Sequence, residues 1–132
     1  MHKFPKKERL SGKKAIGQLF KKGNNSFIFP FKVLIYYTDD SIESNLRLLI
    51  TVPKRNFKKS VDRNRIKRLV REAWRLNKSE VQQKICDAAI TVDVALVYAS
   101  KTILTYKEIA PKIILILQRL IKEYEVRNAT SG

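Results

Sequence analysis

The sequence predicts an α/β protein, more closely an α+β sandwich, in which one small mixed sheet of three to four strands packs with three main helices. Helical and strand patterns follow one another as helix, two or three strands, helix, strand, helix. A passage from strand through helix to strand favours a single sheet covered by helices. The chain has 132 residues, 44% of them hydrophobic, enough for one core. We therefore expect one domain over residues 1–132, with residues 1–9 as a mobile basic arm and 126–132 as a frayed tail.

The first predicted element is a helix from Ser11 to Lys22, with Ser11 as the N-cap. Its apolar stripe consists of Ala15, Ile16, Leu19 and Phe20. Gly23 supplies a left-handed stop, and the lysines before it complement the helix dipole.

Two strands are predicted next. Phe27 to Tyr37 is aromatic and β-branched, with Pro30 interrupting it, and Leu46 to Val52 is the second strand. A turn begins at Thr38, so the two strands are expected to form an antiparallel hairpin.

The central helix is predicted from Val61 to Asn77, with Asn77 as its C-cap. At 100° per residue its apolar side chains share one broad arc: Ile66, Leu69, Val70, Ala73, Trp74 and Leu76. Its opposite side carries Asn64, Lys67, Arg68, Arg71 and Arg75. The helix thus offers one face to a core and one to solvent or a partner.

The remaining elements are a short helix, a strand and a long helix. Ser79–Gln82 matches a capping box for the short helix, and Val92 to Ala99 is the strand. Thr105–Glu108 is a second capping box, opening a C-terminal helix that ends at about Tyr124. Pro111 falls in its second turn, where a kink or a restart is expected.

Several protein classes find no support in the sequence. The lone Cys86 lies in an apolar stretch and is predicted to be a buried structural thiol. No apolar run approaches the roughly 18 residues of a membrane span, so we expect a soluble, cytoplasmic protein. We find no Cys/His cluster for zinc, no Gly-rich nucleotide loop and no Ser/His/Asp set for hydrolysis.

The charge distribution points to a polyanionic partner. The formal net charge is +16, and two segments account for it: residues 1–22 have net charge +7 and residues 54–78 have net charge +9. Self-repulsion of this size costs stability unless negative charge from elsewhere offsets it.

The segment from Lys54 to Arg75 is the most informative. Its arginines can bind phosphate in a bidentate manner and stack on bases, which lysine cannot do. Arg63, Lys67, Arg71 and Arg75 are expected to form one line of cations without a carboxylate between them. The alternative is an ordinary solvated helix face, but such faces usually mix the two signs of charge.

Aromatic residues near this helix have two interpretations. Ile16 and Phe20, one turn apart, together with Tyr36 or Tyr37, could stack on unpaired bases or simply belong to the core. Tyr36 and Tyr37 must point to opposite faces of the sheet, so only one of them can belong to such a surface. Trp74 lies in the apolar arc and is assigned to the core.

The run Arg63-Asn64-Arg65-Ile66-Lys67-Arg68, followed by Arg71-Glu72-Ala73, resembles the motif of the bacterial ribonuclease P protein component. The resemblance covers about residues 9 to 124. Weaker matches in the right order are Leu19 to Gly23, Leu46-Arg47, Lys54-Arg55 and Leu104-Thr105-Tyr106.

This resemblance implies a left-handed crossover through the basic helix and a role in removing the 5′ leader of precursor tRNA. Its implied partners are the catalytic RNA subunit and precursor tRNA, with no membrane and no obligate protein partner. The RNA subunit would be the catalyst and hold the Mg²⁺ ions, so no residue of this chain is assigned a catalytic or metal-binding role. The implied RNA-binding residues are Arg63, Asn64, Arg65, Lys67, Arg68, Arg71, Lys54 and Arg55, and the implied leader cleft contains Phe20, Tyr36 and Ile16.

The chain departs from the family pattern at Ile16, where the family usually has an aromatic residue, because isoleucine can pack but cannot stack. Three alternatives stay open. The first is a structural or ribosome-associated RNA-binding protein without a processing role. The second is a DNA-binding regulator, although no helix and tight turn precede the basic helix as in a helix-turn-helix. The third and weakest is a membrane-surface helix.

Overall fold

A computed structural model of the chain describes Leu10, residues 12–38 and residues 45–130. Four helices and four strands follow in this order: α1 (Lys13–Lys22), β1 (Asn24–Ile28), β2 (Phe31–Thr38), β3 (Asn45–Thr51), α2 (Ser60–Asn77), α3 (Ser79–Asp87), β4 (Thr91–Tyr98) and α4 (Tyr106–Thr130). The predicted α+β class is confirmed, with α3 as a fourth helix beside the three main ones.

The strands form one mixed sheet in the order β1-β2-β4-β3. β1 pairs antiparallel with β2, β2 pairs antiparallel with β4, and β3 pairs parallel with β4. The predicted hairpin between Phe27–Tyr37 and Leu46–Val52 is therefore wrong, because β4 lies between the corresponding strands β2 and β3. The chain instead turns at Phe29 and Pro30 to form a β1–β2 hairpin. The link from β3 to β4 runs through α2 and α3, and its handedness stays a prediction.

The two faces of the sheet carry cores of different size. Val33, Ile35 and Tyr37 of β2 belong to the larger core, which also contains buried residues of α2, α3 and α4. On the opposite face, Leu19 of α1 packs in a small cluster whose buried members are Leu10, Leu19, Leu34 and Ala95, with Tyr36 against it. Tyr36 and Tyr37 thus lie on opposite faces, as predicted. Of the described helices, only α1 packs on this second face.

The boundaries of α1 differ from the prediction. Ser11 lies outside the described residues, and Gly12, at φ 96°, precedes the helix. Gly23 is extended, with φ −69° and ψ 151°, and does not adopt the predicted left-handed conformation. Glycine is required there for space, since a Cβ atom would overlap the carbonyl oxygen of Leu19 and lie 3.3 Å from that of Ile35. This close approach places the end of α1 directly against β2.

The second capping box is confirmed. The backbone N–H of Glu108 donates to the Thr105 hydroxyl at 3.3 Å, and the backbone N–H of Thr105 donates to the Glu108 carboxylate at 3.2 Å. Pro111 does not interrupt α4, which runs on to Thr130. The burial of Ile109, Ile113 and Ile116 on both sides of the proline offsets the cost of its ring. The helix therefore passes the predicted end at Tyr124.

The end of α2 and the helix α3 correct three smaller predictions. Lys78, and not Ser79, precedes α3, and no side chain caps that helix, so the first capping box is wrong. The C-cap of α2 is Lys78 and not Asn77, so that prediction is also wrong. Asn77 is the last residue of the helix, and its side-chain amide donates to the carbonyl of Ala73 at 2.7 Å. Cys86 is exposed, because α3 turns its neighbour Ile85 toward the core.

Candidate nucleic-acid interface

Helix α2 separates an apolar side from a basic side, as its sequence predicts. Ile66, Val70, Ala73 and Trp74 are its buried residues. Leu76 was assigned to the same arc but is 54% exposed, because it lies at the last turn, at the margin of the core. The buried side holds the helix against the rest of the protein, which fixes the direction in which the basic side faces.

Three arginines and an asparagine form the exposed part of the basic side. Asn64, Arg65, Arg68 and Arg71 are all exposed, whereas Lys67 is half-buried. In the part of the chain that the structure describes, no ion pair or side-chain hydrogen bond engages Arg65, Arg68 or Arg71. We call Asn64, Arg65, Arg68 and Arg71 the basic surface. None of its three guanidinium groups pairs with an acidic side chain of the described residues, so all three are available to an external anion.

Arg63 has a different role from its neighbours. One guanidinium nitrogen donates to the carbonyl oxygens of Phe57 at 2.7 Å and Lys58 at 2.9 Å. Arg63 therefore ties the segment after β3 to the first turns of α2. Lys54 and Arg55 are exposed in the turn that begins this segment.

Arg75 does not belong to an unbroken line of cations. Its guanidinium forms an ion pair with Glu72 at 2.7 Å, and this hydrogen-bonded carboxylate raises the pKa of Arg75. The predicted line of four cations without a carboxylate is therefore wrong at its C-terminal end. The spacing i,i+3 lets the two side chains meet on one side of the helix.

The opposite face of the sheet holds the residues of the predicted leader cleft. Ile16 and Tyr36 are half-buried, and both pack against the cluster around Leu19. Phe20, the next residue along α1, is 48% exposed. The structure therefore brings Ile16 and Tyr36 to one site beneath α1 and leaves the ring of Phe20 open to solvent beside them.

The same face holds an ion pair that was not predicted from the sequence. Arg47 donates to both carboxylate oxygens of Asp93, at 2.7 Å and 2.8 Å, and the Asp93 side chain is only 3% exposed. Asp93 is the register partner of both Arg47 and Tyr36, so one row across three strands holds the pair and the cleft tyrosine. The signal lay in a lone carboxylate within the apolar strand Thr91–Tyr98, since a buried charge requires a partner.

No group of three or more His, Cys, Asp or Glu side chains that could hold a metal ion occurs among the described residues. Within the same residues, no helix combines the length and the apolar character needed to cross a bilayer.

A small α+β fold with exposed, unpaired arginines along one helix, and with aromatic residues on the opposite sheet face, is typical of nucleic-acid-binding proteins. A family model described as Ribonuclease P matches residues 4–121. The chain belongs to this family.

Relatives and solved structures agree with that membership. The chain is 33% identical over 95 residues to a ribonuclease P protein component of Porphyromonas gingivalis, covering 72% of this chain and 69% of the relative. It is 42% identical over 80 residues to that of Chlorobaculum tepidum, covering 58% and 51%.

Among solved structures, the RNase P protein of Staphylococcus aureus superposes with a TM-score of 0.67 at 22% identity, covering 90% of this chain and 96% of that one. The RNase P protein of Thermotoga maritima superposes with a TM-score of 0.66 at 25% identity, covering 85% and 96%. The fold is therefore shared with these proteins over most of each chain.

Proposed function

We propose that this chain is the protein subunit of ribonuclease P, which binds the catalytic RNA subunit and the 5′ leader of precursor tRNA and supports endonucleolytic removal of that leader. One observation carries the proposal beyond family membership: Arg65, Arg68 and Arg71 are exposed on α2, and none of them pairs with an acidic residue in the described part of the chain. An RNA backbone supplies the negative charge that these groups lack, in a geometry that guanidinium forks match.

The basic surface is the proposed site for phosphates of folded RNA. Asn64 lies in the first turns of α2, near the free N–H groups of the helix N-terminus, which favour anions. Its amide can donate to a sugar or a base edge while the arginines bind phosphates. Lys54 and Arg55 extend the same positive charge toward the sheet.

The cleft under α1 is the proposed site for the single-stranded leader. Phe20 offers an exposed ring, and Tyr36 offers a half-buried ring with a hydroxyl. Unpaired bases stack on such rings with little regard to sequence. Ile16 contributes apolar packing at the remaining position.

In this proposal the chemistry belongs to the RNA subunit, which holds the Mg²⁺ ions. The residues of this chain bind and position the two RNA molecules, and none is assigned a proton-transfer or metal-binding role. The protein lowers the Mg²⁺ concentration at which cleavage proceeds, because its cations offset phosphate repulsion between enzyme RNA and substrate.

Reconstitution tests the proposal. The protein and its cognate RNA subunit are mixed with precursor tRNA at low Mg²⁺, and release of the 5′ leader is followed on a gel. The RNA subunit alone is one control, and the Arg65→Ala/Arg68→Ala/Arg71→Ala protein is the other. We expect cleavage with the native protein and much slower cleavage in both controls. If the native protein gives no stimulation over the RNA alone, the processing role is wrong and a purely structural RNA-binding role takes its place.

A further inference from the structure

Two exposed phenylalanines stand at the β1–β2 hairpin, outside every site described above. Phe27 is 60% exposed and Phe29 is 53% exposed, and their ring centroids lie 6.5 Å apart with planes tilted by 54°. Exposed aromatic pairs of this size mark interaction sites more often than isolated surface residues do.

The hairpin presents these rings on a firm support. Ile28, between the two phenylalanines, and Phe31, after the turn, are both buried in the larger core. The backbone N–H of Ala99 donates to the carbonyl of Pro30 at 2.7 Å, which ties the turn to the end of β4. Binding of a ligand to these rings therefore requires little loss of conformational entropy in the hairpin backbone.

The register places Phe27 at one end of an open row on the sheet. Phe27 is opposite Lys32, Lys32 is opposite Val97, and Val97 is opposite Thr51. Val97 and Thr51 are half-buried, and Lys32 and Phe27 are exposed. The next row on the same face contains Leu34 and Ala95, which are buried in the cluster that also holds Leu19 of α1. The more exposed row therefore runs alongside the row that α1 covers. We call the row from Thr51 to Phe27 the open row.

The open row leads from the turn that holds Lys54 and Arg55 to the pair Phe27 and Phe29. Thr51 lies three residues before Lys54, and the row crosses four strands, a span of about 14 Å at the usual strand spacing. About five stacked nucleotides, at 3.4 Å per step, span the same length. Lys32, in the middle of the row, supplies a cation for a phosphate. A second copy of this chain, with net charge +16, would meet like charge instead.

We propose that Phe27 and Phe29 form a second stacking site for single-stranded RNA, reached along the open row. On the proposed function, this site takes leader bases farther from the cleavage point than those held at Phe20 and Tyr36. The site extends the leader contact to the β1 edge of the sheet and makes binding depend on leader length.

The test compares two double variants on two substrates. Phe27→Leu/Phe29→Leu keeps apolar bulk but removes the flat aromatic faces, whereas Phe27→Tyr/Phe29→Tyr keeps the rings. Leu76→Ala, an exposed apolar residue on α2, is the matched control. The reconstituted holoenzyme is titrated with precursor tRNA carrying a leader of about ten nucleotides, which reaches the site, or about two, which does not.

We expect the leucine variant to bind the long-leader substrate about tenfold more weakly than the native protein, as for the loss of one stacked base. It should bind the short-leader substrate normally, and the tyrosine variant and Leu76→Ala should match the native protein on both substrates. An equal loss on both substrates, or no loss on either, overturns the proposal.

Two further readouts separate the remaining outcomes. Sedimentation without RNA detects self-association, and a dimer abolished by the leucine pair with no change in RNA binding identifies a contact between copies and also overturns the proposal. Fluorescence binding of a single-stranded RNA oligonucleotide to the protein alone reports on the stacking site independently of cleavage. Failed cleavage with retained, phenylalanine-dependent oligonucleotide binding would reject the proposed function and keep the stacking site.

Discussion

Removal of one arginine from the basic surface should change how RNA binding depends on salt. Arg68 is exposed and without a described acidic partner, so each RNA phosphate that it neutralises releases counterions. Each such contact contributes about 0.9 to the slope of log affinity against log salt for a duplex-like RNA surface. Between 50 and 200 mM salt, that slope corresponds to about a 3.5-fold loss of affinity per contact, and about 12-fold for two.

The matched control for Arg68→Ala is Arg75→Ala. Both changes remove one arginine from α2, but Arg75 is already neutralised by Glu72 at 2.7 Å. Affinity for the RNA subunit is measured by fluorescence anisotropy across a salt series. We expect Arg68→Ala to lower the slope by about 0.9, Arg65→Ala/Arg68→Ala to lower it by about 1.8, and Arg75→Ala to change it far less. Equal slope changes at Arg68 and Arg75 would refute the reasoning that free and paired cations differ in function.

Three other predictions concern the cleft and the scaffold. Phe20→Ala should leave the fold intact, since the ring is 48% exposed, and reduce about tenfold the preference for precursor over mature tRNA in a competition assay; equal loss for both RNAs would contradict the cleft assignment. Gly17→Ala should raise the free energy of unfolding by about 1 kcal/mol, because the added Cβ meets open space in a helix. Gly23→Ala should lower the free energy of unfolding, because the added Cβ overlaps the carbonyl oxygen of Leu19. Urea denaturation tests the contrast, and a Gly23→Ala protein as stable as the native one would contradict the tight contact. Asp93→Asn should lower the free energy of unfolding by about 2 kcal/mol in the same assay, less than for a fully buried pair because Arg47 retains contact with water, and an unchanged midpoint would show that the ion pair is dispensable.

The sequence predicted the elements that depend on local periodicity. The apolar arc of α2 was assigned correctly at Ile66, Val70, Ala73 and Trp74, since a 3.6-residue period alone determines which side of a helix is buried. The Thr105–Glu108 capping box was predicted for a similar reason, because its two hydrogen bonds join residues three positions apart.

Strand pairing could not be predicted in the same way. Nothing local in residues 31–52 shows that β4, about 40 residues farther along the chain, lies between β2 and β3. A short connection favours a hairpin, and only the burial of β4 on both of its faces decides against it.

Whether a given arginine is hydrogen-bonded within the protein or faces solvent could not be predicted from the local sequence either. Arg63 and Arg68 belong to the same motif, yet the side chain of Arg63 turns back to the carbonyl oxygens of Phe57 and Lys58 while that of Arg68 faces solvent. The path of the preceding segment determines this difference. The exposure of Phe27 and Phe29 was not predicted either, because the aromatic run has no separate sequence signal for an outward strand position such as Phe27 or for the turn at Phe29.

The central position of β4 also governs the order in which the protein can assemble. All but one of its eight residues are buried, and it is the only described strand that joins β3 to the rest of the sheet. Synthesis runs from the N-terminus, so α1, β2 and the arginine-bearing helix all leave the ribosome before it. The sheet can close only after this late strand arrives, and pairing across such long sequence separations is slow. A newly made chain therefore displays its positive charge before its scaffold is complete.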